Sequence, residues 1–302
     1  MLKLYKMNFL FILILIVIIS TPLTIIGWYK TTNKRQYLIK NSLYLILGLL
    51  LLFLFGPLFP ISPIKIGYQT QKIGNKTIVY PKNWVVKRDE FVKLIDRTEE
   101  ENIFPIYKTR LPITFLLTNN ENDFLRFTGL RKGGSTGLGG IRIDSSYMEK
   151  GIITAELSHY YLFNTTKRSS IYFPRWFDEG LAIYLGHSGS TAKFTHPEQL
   201  QKLLQDSRYP KDLSYWNGIM GQLRWMKQIH TGGYVTNMYT HSYFAVHFLI
   251  DKYGMEKLQN LIYEAKTNNS FENAFQNIYE FSTREFSNSF LNSAQQYTQP
   301  LQ

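Results

Sequence analysis

Two long apolar segments lie near the start of the chain, before any acidic residue occurs. Residues from about 7 to 28 carry no charged side chain, and residues from about 38 to 59 carry one, Lys40. Each segment is long enough to cross about 30 Å of hydrocarbon as a helix. No small-x-small cleavage site follows the first, which disfavours the alternative of a cleaved signal peptide. We therefore predict a hairpin of two transmembrane helices with a basic connecting loop in residues 1–65.

Beyond this hairpin, residues 66–302 show the periodicity of strands first and of helices afterwards. Strands are predicted at residues 76–80, 111–117 and 141–144, with a helix at about 89–102 and a flexible glycine-rich loop at 133–140. The later helices are predicted at about 149–163, 176–186, 197–206, 240–253, 255–266, 270–279 and 283–296, with Gly254 as a helix C-cap. Strands followed by helices predict one α+β domain in residues 66–302.

The net charge of +12 suggests at first a nucleic-acid-binding protein. However, twelve basic residues precede Asp89, the first acidic residue, and the 22 later basic residues are matched by 22 acidic ones. The excess therefore belongs to the membrane flanks, where it favours contact with anionic lipid, and we expect no nucleic-acid partner. The absence of cysteine excludes disulfides and Cys-ligated metal sites.

The loop between the two apolar segments is basic, with Lys30, Lys34, Arg35 and Lys40. The positive-inside rule places such a short loop in the cytoplasm, so that the domain lies outside. Lys3 and Lys6 favour the opposite orientation, with the N-terminus in the cytoplasm.

Two short motifs lack the residues that their chemistry needs. The glycine-rich residues 133–140 are not followed by the Gly-Lys-Ser/Thr that holds phosphate in a P-loop. Residues 186–190 nearly form a nucleophile elbow, but Ser190 stands where the second glycine is required. We interpret both as ordinary loops.

The segments Thr154–Tyr161 and Pro174–Ala182 carry the strongest chemical signal. On a helix, Glu156 and His159 share one face, and position 155 lies one turn before His159 on the same side. Zinc hydrolases use this layout with two histidines at i and i+4 and a glutamate after the first. Glu179, on the second segment, is suitably spaced to be a third ligand.

These two segments resemble the gluzincin metallopeptidases, in particular the bacterial peptidase MA-like families. Their pattern is His-Glu-x-x-His followed by Pro-x-Trp-x-x-Glu-Gly-x-Ala, and PRWFDEGLA at 174–182 is its most specific match. Weaker similarity covers most of residues 105–295, including the segment Tyr239–Tyr243 before a helix that ends at Gly254. The resemblance implies a zincin-like fold in a bacterial protein, and the two apolar segments predict that this domain is anchored in the cell membrane.

The resemblance also implies a function and a set of site residues. It implies zinc-dependent hydrolysis of a peptide or protein, with Glu156 as general base and His159 and Glu179 as zinc ligands. Tyr239 and His241 would donate hydrogen bonds to the oxyanion, the alternative being that they serve packing and capping. Residues 139–144 would be an edge strand that pairs with an extended peptide.

Ala155 departs from the family pattern, which has its first zinc-binding histidine at this position. Alanine offers no lone pair to a metal, so whether the chain is an enzyme stays open. In one interpretation the chain is a pseudopeptidase that keeps the fold to bind or scaffold a peptide or protein. In a second, His241 or His187 supplies the missing ligand, and in a third the chain is a disabled variant of an active enzyme.

Overall fold

The structure is a computed structural model that describes residues 27–56, 58–101, 104, 111–131, 133–137, 139–168 and 171–294. Over these residues it is an α+β protein, mostly helical, with a small mixed sheet, as the order of strands and helices predicted. The chain divides into two compact units. The first comprises Met1–Arg88 and Pro112–Tyr147, and the second comprises Asp89–Leu111 and Met148–Gln302.

Helix α1 (Lys34–Phe55) has 22 residues, enough to extend about 33 Å at 1.5 Å per residue. None of its residues is buried, and its exposed side chains are mainly leucine and isoleucine. It is the one helix among the described residues that is long and apolar enough to span a membrane. The described part therefore contains one candidate span instead of a two-helix hairpin, and residues 7–26 of the predicted first span lie outside it.

Helix α1 ends four residues before the predicted limit of the second span. Gly56 is extended (φ −111°, ψ −164°), and Pro57 follows it in the sequence. Proline disfavours the helical conformation of the preceding residue, which explains the end of the helix. Phe59 is 1% exposed and stacks on Phe127 at a centroid distance of 4.5 Å. Phe59 therefore belongs to the hydrophobic core of the first unit.

The sheet of the first unit has five strands in the order β1-β2-β3-β5-β4. The inner strands β2, β3 and β5 are parallel, and β1 and β4 pair antiparallel with their neighbours. The strands are β1 (Tyr68–Ile73), β2 (Lys76–Pro81), β3 (Ile113–Thr118), β4 (Gly134–Gly137) and β5 (Gly140–Asp144). Helices α2 (Val85–Glu101) and α3 (Glu121–Thr128) precede and follow β3 in the chain.

Two predictions for the glycine-rich region are wrong. Part of the expected loop at 133–140 is strand β4, and β5, expected at the edge, lies between β3 and β4. A Cβ atom at Gly140 would lie 2.1 Å from the carbonyl oxygen of Thr114, and its φ of +116° also requires glycine. The glycine therefore allows β5 to approach β3, which is distant in sequence, and this pairing places β4 at the edge.

Seven helices of the second unit follow in the described residues, and α7 was not predicted. They are α4 (Lys150–Thr166), α5 (Arg175–Leu185), α6 (Pro197–Gln205), α7 (Gly218–Thr231), α8 (Val235–Thr267), α9 (Phe271–Tyr279) and α10 (Thr283–Ser293). Gly254 interrupts α8 with non-helical angles (φ +85°, ψ 156°), which confirms the predicted helix end there.

Helices α5 and α8 form the most extensive helix contact of the second unit. Gly180 permits this contact, because a Cβ there would lie 2.2 Å from the carbonyl oxygen of Ser242 and 2.7 Å from Cγ2 of Val246. On the same helix Trp176 is fully buried and stacks on Phe286 at 5.4 Å. Helix α5, which carries the predicted ligand Glu179, is thus fixed both against α8 and in the aromatic core around Trp176.

We expect Gly180→Ala to destabilise the second unit by about 1–3 kcal/mol, since the added methyl group overpacks the contact with the α8 backbone. Thermal unfolding of the full chain in detergent, followed by circular dichroism, measures the change. Gln201→Ala, at an exposed position of α6, is the control and should change stability by less than about 0.5 kcal/mol. Equal melting of the two variants would contradict the proposed role of Gly180.

Candidate functional site

Helices α4 and α5 bring the two motif segments together. The Nε2 atom of His159 on α4 lies 3.6 Å from Oε2 of Glu179 on α5. Both side chains are largely enclosed, with exposed fractions of 12% and 9%. The two predicted zinc ligands are therefore neighbours, although they are twenty residues apart in the sequence.

Asp178 holds the other nitrogen of the His159 ring. Its Oδ1 atom lies 2.6 Å from His159 Nδ1, so the ring directs Nε2 towards Glu179. In metal sites a carboxylate orients a ligating histidine in the same way. Burial alone would lower the pKa of His159, but the carboxylates of Asp178 and Glu179 outweigh this effect and raise that pKa well above 6.5. The two carboxylates therefore favour the doubly protonated, positively charged form of the imidazole.

Arg175 forms ion pairs with both carboxylates of α5. One guanidinium nitrogen, Nη1, lies 3.0 Å from Oδ2 of Asp178, and the other, Nη2, is hydrogen-bonded to Oε1 of Glu179. The indole ring of Trp225 lies against the guanidinium, 5.3 Å from its carbon atom. Burial would raise the pKa of Glu179, but Arg175 and then His159 lower it, so this carboxyl group is ionised.

These residues do not fit a zinc ion. Ala155, one turn before His159, presents a buried methyl group, and Glu156 beside it is 9% exposed. The described residues contain no group of three His, Cys, Asp or Glu side chains able to hold a metal. In addition, Glu179 is already paired with the positively charged guanidinium of Arg175. This guanidinium would repel a divalent cation. The positive charges of Arg175 and His159 offset the negative charges of Asp178 and Glu179 within this set.

Tyr239 on α8 belongs to the same neighbourhood. Burial raises the pKa of its phenol, and the carboxylate of Glu179 raises it further, so the hydroxyl group stays protonated. Its ring packs against Trp225 at a centroid distance of 5.5 Å. A protonated hydroxyl can donate a hydrogen bond, which is compatible with the predicted role.

His241 and His187 lie in other surroundings. His241 is 1% exposed, with Nδ1 3.2 Å from the Tyr209 hydroxyl oxygen and its ring against Phe290. His187 is exposed, with Nδ1 2.6 Å from the carbonyl oxygen of Tyr184. Among the described residues, neither histidine joins His159 and Glu179 in a group of three side chains that could hold a metal ion. The alternative in which one of them replaces the ligand missing at Ala155 therefore finds no support.

The prediction from sequence overlooked Arg175 and Asp178. Both lie inside the PRWFDEGLA match, and the spacing of the charged residues in this segment indicates ion pairs along a helix. Residues three and four positions apart are neighbours on a helix, so Arg175 can reach Asp178 and Glu179 at once.

In comparisons with known proteins, the chain matches no protein-family model and no curated protein sequence.

We expect Arg175→Met to lower the free energy of unfolding by about 3–5 kcal/mol, because it leaves two buried carboxylates with His159 as their one remaining cation among the described residues. Arg126→Met is the control, since it breaks an i,i+3 pair with Asp123 in which Arg126 is 43% exposed. The control should cost less than about 1 kcal/mol. Urea unfolding of both variants measures the difference, and similar losses would show that Arg175 is not the cation on which the site depends.

His241 should make the protein less stable in acid. Burial lowers its pKa from 6.5 to about 3, so its contribution to stability is complete above pH 6.5 and is lost progressively as the pH falls towards 3. We expect the melting temperature of the native chain to fall more steeply between pH 7 and about pH 4 than that of His241→Gln. Parallel curves for the two proteins would contradict a buried neutral histidine.

Proposed function

We propose that this chain is a membrane-anchored, gluzincin-like protein of the bacterial cell envelope that binds a peptide or protein without zinc-dependent hydrolysis. The observation that carries the proposal is the pairing of Arg175 with Glu179 and Asp178. It supplies the positive charge that these carboxylates need, next to an alanine at the position of the first zinc ligand. The gluzincin-like character is supported by the motif and by the proximity of His159 to Glu179.

Helix α1 supports anchoring in the membrane, because none of its residues is buried in the described part of the chain and its exposed apolar side chains are suited to lipid. A second span in residues 7–28 and an outward-facing domain are parts of the proposal. The orientation is supported by the basic residues Lys30, Lys34 and Arg35, which flank the start of α1.

Strand β4 supports a role in peptide binding. It is an edge strand, paired on one side with β5, and an edge strand can add an extended peptide as a further strand. The edge predicted for residues 139–144 is thus replaced by the edge at Gly134–Gly137.

A zinc peptidase is the second candidate function. It is favoured by the contact between Asp178 and His159 Nδ1, which orients the ring as in a metal site. The zinc content of the purified protein distinguishes the zinc peptidase from the binding protein.

We expect the full-length chain, purified in detergent and dialysed against zinc, to retain much less than one equivalent of the metal. Ala155→His supplies a second histidine at i and i+4, and the double variant Ala155→His/Arg175→Met also releases Glu179. We expect the double variant to bind about one equivalent, since three protein ligands hold a catalytic zinc. Inductively coupled plasma mass spectrometry measures the stoichiometry.

Ala155→Gln is the matched control, because it fills the same position with a side chain that is a poor zinc ligand. One equivalent of zinc in the native chain, with casein cleavage that Glu156→Gln abolishes, would refute the proposal and establish the second candidate.

A further inference from the structure

Helix α7 carries an exposed apolar surface at its start. Ile219, Met220 and Leu223 are 63%, 58% and 53% exposed and share one side of the helix. The opposite side buries Gly221 and Trp225 in the second unit. We call the three exposed residues the α7 patch. The rest of the second unit contributes only scattered exposed apolar residues, such as Ile171 and Tyr263, among those described.

The charged residues of α7 are all positive. Arg224 and Lys227 lie within one to two turns of the patch, and the helix contains no carboxylate. The Arg224 guanidinium lies over the ring of Tyr215, 4.1 Å from its centroid, beside the patch. The carboxylate of Asp212, in the turn before α7, accepts a hydrogen bond from the Ser214 backbone at 2.8 Å. Apolar, aromatic and basic side chains thus occur together at this end of α7.

We propose that the α7 patch inserts into the headgroup region of an anionic membrane and forms a membrane contact separate from α1. Helices that lie in the membrane interface combine exposed apolar side chains with lysine and arginine, and basic residues near an anionic surface strengthen the binding. The inference rests on the proposed anchoring in one respect. A chain held by α1 meets lipid at high effective concentration, so a small patch suffices.

The size of the patch argues against a second copy of the chain as the partner. A stable protein interface buries about 800 Å² on each side. Three side chains on the first turns of one helix offer a much smaller area. Lipid requires no complementary shape, and an apolar patch of this size with basic neighbours is sufficient to reach the interface.

The absence of cysteine allows a direct test, because one introduced cysteine carries the only label. The full chain is reconstituted in phosphatidylglycerol-containing nanodiscs with an environment-sensitive NBD label at Met220→Cys, Tyr263→Cys or Leu45→Cys. Tyr263 is the matched control on the second unit, being 56% exposed, and Leu45 reports on α1. We expect blue-shifted emission and several-fold stronger quenching by nitroxide-labelled lipid at Met220 than at Tyr263.

Adding Arg224→Gln and Lys227→Gln to the Met220→Cys protein should weaken this quenching, as should nanodiscs of phosphatidylcholine alone. Equal signals at Met220 and Tyr263 would overturn the inference. It would also be overturned by a blue shift that persists in detergent and grows with protein concentration, which indicates a second copy. The Leu45 label keeps the two proposals apart, since its quenching by lipid tests the anchoring by α1 independently of α7.

Discussion

The guanidinium of Arg175 and the imidazolium of His159 together balance the enclosed carboxylates of Asp178 and Glu179, and the arrangement of the candidate site depends on this balance. Asp178 uses one oxygen atom for Arg175 and the other for His159, and Glu179 is likewise shared between the two cations. Each charge is costly to bury alone and acceptable only as part of the set. In the function proposed above, Arg175 supplies positive charge that a zinc ion supplies in a gluzincin.

The packing of α5 on α8 holds this set of charges in position. Gly180 follows Glu179 directly and lets the two helix backbones approach, while Trp176 anchors the start of α5 in the aromatic core. Tyr239 comes from α8 and lies beside Glu179 as a consequence. The close contact at Gly180 therefore serves the site as well as stability, because a shift of α5 would separate its carboxylates from His159.

The exposed apolar residues occur in two different settings. In α1 they cover the whole helix, which has no buried residue, whereas in α7 they form one patch opposite a buried face. The first distribution suits a helix surrounded by lipid, and the second suits a helix that touches lipid from one side. The exposed patch also explains why α7 was not predicted, since apolar residues on both faces obscure the helical period.

The sequence by itself determined the α+β class, the bounds of α5 to within one residue and the pairing of His159 with Glu179. These features follow from local periodicity and from a specific motif. The tertiary structure alone decided that Phe59 lies in the core, that β5 is internal and that His241 is buried against Tyr209. Each of these outcomes depends on residues distant in the chain. The partners of Arg175 are an intermediate case, because helical spacing allowed the ion pairs, while only the packing of α4 against α5 brought His159 to share them.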